Sequence, residues 1–477
     1  MEKLILNTAF IKSLITTENP FMSTDNVLNW IIKRRSEVAV SISLSKFSKL
    51  DNWEFDKDNG NLKHISGKFF SIAGIKIDTN WGTVSSWEQP IINQPEVGFL
   101  GIITKNIDGV LYFLMQAKIE PGNINIVQIS PTLQATKSNY TSVHKGRRPL
   151  YLEYFNGEKS VEVLIDQLQS EQGARFFKKR NRNIIIEVKD EIPVYEDFCW
   201  LTLGQIKQLL NFDNVINMDT RTVISCINFG TFDKSFLAIL DCFNASSFFS
   251  KKASFDLFKS LLYENKPFNN MESIISWITN LKTKFELNVE FIGLKNVKDW
   301  QIDDTVICHK NKKYFSVIPV DIEISNREVA KWSQPLVKPA QEGLLAFIIK
   351  KIDDVYHFLV QAKLELGNLD IIELAPTVQC LTGNYRNDAR EYEVPFIDLV
   401  LNAKPDSILY STYQSEEGGR FFQEQNKQMI VEVYDDFALE VPETYIWMTL
   451  NQLNTFNKFN NYLNIQARSL LAAVPFI

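Results

Sequence analysis

Between residues 97 and 118 the chain reads "VGFLGIITKNIDGVLYFLMQAK", two apolar runs rich in β-branched and aromatic residues around a polar break. This pattern predicts a hairpin, and Asp-Gly is a favoured turn between its strands. Farther on, "KKIDDVYHFLVQAK" (350–363) repeats the pattern with Asp354 in place of the glycine, which predicts a looser turn or one of another type. "NINIVQI" (123–129) and "NLDIIEL" (368–374) read as further strands. Val161, Leu164, Ile165 and Leu168 fall at helical spacing, with Gly173 as the helix stop. "RNIIIEV" (182–188) reads as a strand after it. Thr202 with Gln205, and Thr449 with Gln452, each match a capping box and predict a helix start. Strands, helix, strand, helix make an α+β fold with a mixed or antiparallel sheet.

The pattern occurs twice. "QAKIEPGNINIVQISPTLQATKSNY" (116–140) returns without a gap as "QAKLELGNLDIIELAPTVQCLTGNY" (361–385), an offset of 245 (361 − 116). The same offset joins "WEQP" (Trp87) to "WSQP" (Trp332) and "SEQGARFF" (Ser170) to "SEEGGRFF" (Ser415). A shift of two more joins Trp53 to Trp300 and Trp30 to Trp277. Solenoid repeats are only about 20–50 residues long, so this is a duplicated domain. The expected organisation is an N-terminal segment 1–24, a first module 25–211, a connector 212–271, a second module 272–458 and a C-terminal segment 459–477. The connector is rich in aliphatics and Phe, so packed helices are expected there; a flexible linker would be rich in Gly, Ser or Pro.

Composition narrows the class. With 45% hydrophobic and 23% charged residues, the chain reads as a soluble globular protein with a real core. A net charge of −6 with mixed signs argues against a nucleic-acid partner, which calls for a basic face. Cys199, Cys226, Cys242, Cys308 and Cys380 are odd in number and form no CxxC, which predicts reduced thiols in the cytoplasm. The opening "MEKLILNTAFIKSLITTENP" has a short apolar stretch without a clear cleavage site. No segment approaches the roughly 18 apolar residues of a membrane span, and "SFLAILDCF" is broken by Asp241, so no membrane partner is expected.

Familiar catalytic motifs are missing: the chain has no GxGxxG after a strand, GxxxxGK[ST], HExxH or GxSxG. His64, His144, His309 and His357 share no ligand spacing, so each reads as structural and no metal site is expected. What remains in each module is Gln-x-Lys-x-Glu, Pro-Thr-x-Gln, Asn-Tyr and Ser-Glu-x-Gly-x-Arg. On a strand, Gln116, Lys118 and Glu120 share one face. For one module alone, a solvated face with a surface ion pair is the simpler reading. Retention in both modules, while many other positions differ, points to a concave polar site. "SEQGARF" also invites comparison with the Nudix hydrolase helix, whose glutamates hold Mg²⁺. With Gly173 aligned, Asp166, Gln167 and Ser170 stand at other motif positions and only Glu171 survives. In the second module Glu416 survives beside Thr412 and Ser415. One carboxylate makes a poor Mg²⁺ site, so a Nudix-like fold here would have lost its metal chemistry.

"PIINQPEVGFLGI", "QAKIEPGN", "SPTLQATKSNYTSVHKG", "DQLQSEQGARFFKKRNRN", "ELAPTVQC" and "SEEGGRF" together resemble the NDP-hexose 2,3-dehydratases. The resemblance covers nearly the whole chain, duplication included. It implies two tandem Nudix-like modules, a homodimer, and a role in deoxysugar biosynthesis without metal or organic cofactor. The implied substrate is dTDP-4-keto-6-deoxy-D-glucose, and an NADPH-dependent 3-ketoreductase would consume the product. The implied reaction suits the residues. The C4 ketone acidifies the C3 hydrogen, a base removes it, and donors stabilise the enolate. A general acid then helps the C2 hydroxyl leave, and the enol tautomerises to a 3,4-diketo sugar.

By the same resemblance, Trp53, the loop Thr136, Lys137, Ser138, Asn139 and Tyr140, and nearby Ser170 contact one nucleotide sugar. The second module's matching group is Trp300, Thr377, Val378, Gln379, Asn384, Tyr385, Ser415, Glu416, Glu417, Gly418 and Gly419. The tryptophans stack on thymine or sugar, or else belong to the core. Arg175 and Arg420 are candidates for the diphosphate, since guanidinium matches phosphate geometry; the alternative is a helix-end ion pair. Base candidates are Glu120, Glu171 and Tyr140, with Glu365, Glu416 and Tyr385 opposite, while Lys118 or Lys363 would neutralise the enolate. The modules are unequal: Leu366 replaces Pro121, Leu381 replaces Thr136, and "RNDAREYEVP" replaces "TSVHKGRRP". One module is expected to catalyse while the other binds a ligand or supports the dimer. Two other readings are a nucleotide-sugar-binding accessory protein without catalysis, and a metal-dependent Nudix hydrolase.

Overall fold

The computed structural model describes residues 2–137, 148–230, 252–262, 267–325, 330–380 and 394–476. The first module begins with β1 (Val40–Leu44), β2 (Trp53–Phe55), β3 (Leu62–His64), β4 (Ser71–Thr79) and β5 (Ser86–Asn93). It continues with β6 (Gly98–Ile107), β7 (Val110–Ile119), β8 (Val127–Ser130), β9 (Leu133–Ala135), β10 (Glu162–Ser170), β11 (Arg180–Glu187) and β12 (Phe198–Thr202). The second module repeats the first group as β13 (Leu287–Phe291), β14 (Trp300–Ile302), β15 (Ile307–His309), β16 (Phe315–Ile324) and β17 (Lys331–Pro339). Its remaining strands are β18 (Gly343–Ile352), β19 (Val355–Leu364), β20 (Ile372–Ala375), β21 (Val378–Cys380), β22 (Ile408–Ser415), β23 (Gln425–Val433) and β24 (Tyr445–Thr449).

Each module builds a seven-stranded mixed sheet. The first runs β10-β11-β6-β7-β12, with β9 on β6 and β8 on β7; the second runs β22-β23-β18-β19-β24, with β21 on β18 and β20 on β19. Its one parallel pair is β6 with β11, matched by β18 with β23. The smaller sheets are not confined to one module. β1 pairs with β16 of the second module, Val40 opposite Ile324, and β13 pairs with β4 of the first, Leu287 opposite Thr79. The modules thus exchange their first strands reciprocally. A continuous core joins them as well: Ile102, Phe113 and Ile185 share a cluster with Phe347, Phe358 and Ile430.

The hairpins and capping boxes form where the sequence predicts. Thr202 and Thr449 cap helices Leu203–Leu209 and Leu450–Phe456, each with its reciprocal glutamine bond. Both hairpins have two-residue turns, because Ile107 faces Val110 and Ile352 faces Val355. Asp108 and Gly109 have positive φ, and so do Asp353 and Asp354. The second turn is therefore neither looser nor of another type: Asp354 accepts the left-handed conformation that a glycine would adopt more readily. The strands expected at 123–129 and 368–374 are shorter than the apolar runs, starting at Val127 and Ile372.

One element differs in kind. Residues 162–170 form strand β10, not a helix, and Gly173 ends nothing helical. β10 pairs antiparallel with β11 through a bulge between Val163 and Ile165. The extra residue breaks strict alternation, so Leu164, Ile165 and Leu168 mimic a helical stripe. The comparison with the Nudix helix loses its helix here, as β22 does the same in the second module. Of the connector, helices Met218–Ser225 and Lys252–Leu262 are described. Among the described residues Cys199, Cys226, Cys308 and Cys380 are free thiols, and no helix is long and apolar enough to cross a membrane. Cys242 and His144 lie outside the described residues.

Candidate active site

A cavity of about 1160 Å³ opens over the first module's large sheet. Gln116, Lys118 and Glu120 line it from β7 and its end, and Gln134 and Thr136 from the β9 side. Trp53, Glu171, Lys179, Asn181 and Asp219 line it as well. The second module contributes Lys331, Trp332, Ser333, Gln334, Glu417, Gly419 and Arg420. The site is thus composite, and a backbone contact explains how. Gly122 lies so close to the 418–421 loop that its N–H donates to the Gly418 carbonyl at 2.7 Å, while Gln423 N–H donates to the Gly122 carbonyl at 2.6 Å. A Cβ on Gly122 would sit 1.7 Å from the Phe421 carbonyl oxygen. Gly367 makes the mirror contact, donating to the Gly173 carbonyl at 2.8 Å.

The arginines cross over with these loops. Arg420 stacks on Phe70 of the first module, 4.4 Å from the ring centre, and its Nε donates to Gln94 at 3.2 Å. Arg175 stacks on Phe315 of the second module at 4.3 Å. Neither sits at a helix end, and each packs on the opposite module. The tryptophans are partly committed too. Trp53 lines the cavity, but its Nε1 donates to the Ser333 carbonyl at 3.0 Å and its ring packs on Phe70. Trp300 Nε1 donates to the Glu88 carbonyl at 3.1 Å.

Glu120 is nearly buried and held by amides: Asn123 Nδ2 donates to it at 3.1 Å and Gln134 Nε2 at 2.5 Å. Gln134 in turn accepts from Asn217 Nδ2 at 3.1 Å. The second module repeats the relay from Asn464 through Gln379 to Glu365, at 2.7 and 2.9 Å. Asn181 donates to Glu171 at 2.6 Å. Burial pushes the Glu171 carboxyl up, with Lys179 and Arg468 opposing, and the same burial pulls Lys179 down. Glu417 is pushed up to about 7, first by desolvation and then by the charges of Glu120 and Glu171. Desolvation acts on Asp219 most strongly, with Glu417, Glu120 and Glu171 adding to it and Lys118 opposing.

Several residues expected to contact ligand have other partners and do not line the cavity. Ser170 donates to Glu373 at 2.7 Å and its carbonyl accepts from Arg468; Ser415 donates to Gln128 at 2.8 Å, and its carbonyl accepts from Arg221 at 2.5 Å. Both serines are buried at the junction of the modules and neither lines the cavity. Thr377 accepts from Ile348 N–H at 2.9 Å and donates to the Leu359 carbonyl, so its hydroxyl holds the sheet together. Val378 is core, and Gln379 orients Glu365. Glu416 is buried between Gln172 and Asn426, both at 2.5 Å, and Gly418 packs against Asn123. Lys363 is half-buried on β19, and Lys137 does not line the cavity. Ser138, Asn139, Tyr140, Asn384 and Tyr385 lie outside the described residues, although Thr136 and Arg148 on either side of the first loop line the cavity.

Over residues 24–227 and 271–474 the chain matches a family model described as NDP-hexose 2,3-dehydratase. A Saccharopolyspora spinosa protein named dTDP-4-dehydro-6-deoxy-alpha-D-glucopyranose 2,3-dehydratase is 43% identical over 467 residues, 98% of this chain and 94% of that protein. Proteins of the same name from Amycolatopsis orientalis and Streptomyces violaceoruber are 41% and 40% identical, over 97% and 93% of this chain and 92% and 95% of their own lengths. This chain belongs to the NDP-hexose 2,3-dehydratase family. As a member it is a hydro-lyase.

Three cavity residues of this dehydratase escape the reading based on the repeat. Asp219 is buried in helix Met218–Ser225, beyond the first module's expected end. Its counterpart is Gln466, as Asn217 matches Asn464 and Arg221 matches Arg468. Lys179 matches Glu424, and Asn181 lies in a basic stretch. The differences between modules, not the identities, mark Asp219 and Lys179.

Proposed function

We propose that the protein removes water across C2 and C3 of dTDP-4-keto-6-deoxy-D-glucose, and does so in the first module's cavity. The observation that carries this reading is the meeting of Lys118, Glu120 and Glu171 with Glu417 and Arg420 of the second module in one space of about 1160 Å³. That is ample for a nucleotide sugar, since small-molecule pockets are usually about 300–1,000 Å³. Glu120 is the base for the C3 proton: the amides of Asn123 and Gln134 hold its carboxyl group in place. Lys118, on the same face, balances the charge that develops on O4. Arg420 supplies a guanidinium for the diphosphate, and the Trp53 ring a face for thymine or sugar. The substrate's own ketone is the electron sink, so the elimination calls for neither a metal nor an organic cofactor.

The 3,4-diketo product passes to an NADPH-dependent 3-ketoreductase, and the protein works as a cytoplasmic homodimer; light scattering tests the last point. The modules are those of residues 25–211 and 272–458, with helix Met218–Ser225 serving the first. Nudix ancestry, on this reading, rests on the mixed sheet with its parallel β6–β11 pair rather than on a helix motif.

The test is a proton NMR time course with the substrate in D₂O, without added metal, and a second tube holding reductase and NADPH. Loss of the C3 signal with formation of a 2-deoxy sugar is the expected outcome. An intact substrate whose lines only broaden would make the protein a binder without chemistry.

A further inference from the structure

Within the dehydratase reading, we propose that Asp219, on the helix that follows the first module, is the proton donor that carries the C2 hydroxyl away as water. Asn217 caps this helix, accepting from Thr220 N–H at 2.9 Å, and its amide also reaches Gln134, which holds Glu120. The same helical turn therefore anchors the base relay and, two residues later, presents a carboxyl to the same cavity.

The second module serves as an internal comparison. It keeps the relay Asn464, Gln379, Glu365 intact, yet places Gln466 where Asp219 stands. An amide can bind but cannot deliver an acidic proton. The groups facing Asp219 divide by their hydrogen bonds. Glu120 accepts from two amides and Glu171 from one, whereas no described residue donates to the side chain of Asp219 or Glu417. A carboxyl without donors lacks the hydrogen bonds that favour its charged form. Lys118 is the cation that opposes this at Asp219, while Glu120, Glu171 and Glu417 favour the protonated form. Desolvation, the largest influence, acts in the same direction.

The proton inventory closes. Glu120 takes the C3 proton and the electron pair moves onto O4. The enolate then expels the C2 oxygen with its bonding pair, and that oxygen takes the Asp219 proton and leaves as water. The resulting enol returns its O3 proton to Asp219, while C2 receives the proton held by Glu120. Both side chains regain their starting states and the sugar is a 3,4-diketone.

The experiment compares the full-length protein with Asp219→Asn, following C3 hydrogen exchange and water loss separately by NMR in D₂O. Elimination is expected to slow by about 100- to 10,000-fold, the usual worth of a general acid, while C3 exchange stays within about threefold. Asp219→Glu, which keeps the acid, is expected to recover at least about tenfold over Asp219→Asn. Elimination unchanged in Asp219→Asn, or exchange and elimination lost in equal proportion, overturns the assignment. If Asp219→Asn fails to fold, Asp219→Ser takes its place with the same readouts. Wild-type protein that does not dehydrate the substrate defeats the broader reading; wild-type and variant dehydrating alike defeat only the role of Asp219.

Discussion

Replacing Gly122 by alanine tests whether the backbone contact between modules supports the cavity. The new Cβ would stand 1.7 Å from the Phe421 carbonyl oxygen and 2.6 Å from that of Gly418. To reach 3.0 Å, below which real Cβ atoms essentially never approach, the loop must retreat by about 1.3 Å (3.0 less 1.7). That movement breaks the 2.7 and 2.6 Å backbone bonds that Gly122 makes to the second module. Overpacking costs about 1–3 kcal/mol, and each buried bond left unmade costs about 1–3 kcal/mol. The total is about 3–9 kcal/mol, against the roughly 5–15 kcal/mol of a typical folded protein. Denaturant unfolding measures it, with Gly67→Ala as control. Gly67 has positive φ, which Gly122 does not, and a Cβ there meets nothing within 4 Å, so its cost is only the left-handed backbone, about 1–2 kcal/mol. A Gly122→Ala loss no larger than that of Gly67→Ala would refute the reasoning.

Glu120→Gln, nearly the same shape, is expected to abolish C3 hydrogen exchange as well as elimination by about 100-fold or more, read by NMR in D₂O. Burial pushes the Glu424 carboxyl up to about 8 from an ordinary 4.5, so its contribution to stability is full below 4.5 and is lost as pH rises through 8. Melting temperatures of Glu424→Gln are therefore expected to fall less than wild type between pH 6 and pH 9, and parallel curves would contradict this. Either half made alone lacks a strand partner, because β1 belongs to the second module's sheet and β13 to the first. Each half is expected to aggregate on gel filtration, while both together, cut between residues 240 and 241, form one soluble complex.

Local patterns were readable where local physics decides them. The Asp-Gly hairpin and both capping boxes need only neighbours in sequence, and they form as expected. β10 was misread because its bulge destroys the two-residue period on which strand recognition depends. Strand exchange was invisible because the side chains of β1 record that it has a partner, not which module supplies it. The same blindness hid the crossing of Arg175 and Arg420, each of which stacks on a phenylalanine of the other module. Asp219 was missed for a different reason. Searching for what both modules retain finds the Glu120 and Glu365 relays but discards a residue present only once.

The cross-seated loops make this chain a poor candidate for modular exchange. A chimera that took residues up to the connector from one relative and the remainder from another would keep Glu120 and Asp219 from the first parent. Glu417 and Arg420 would come from the second. Recombination at the connector, which looks like a clean boundary along the gene, cuts through the wall of the cavity. Preference for one nucleotide sugar over another would then be inherited jointly, from both parents at once.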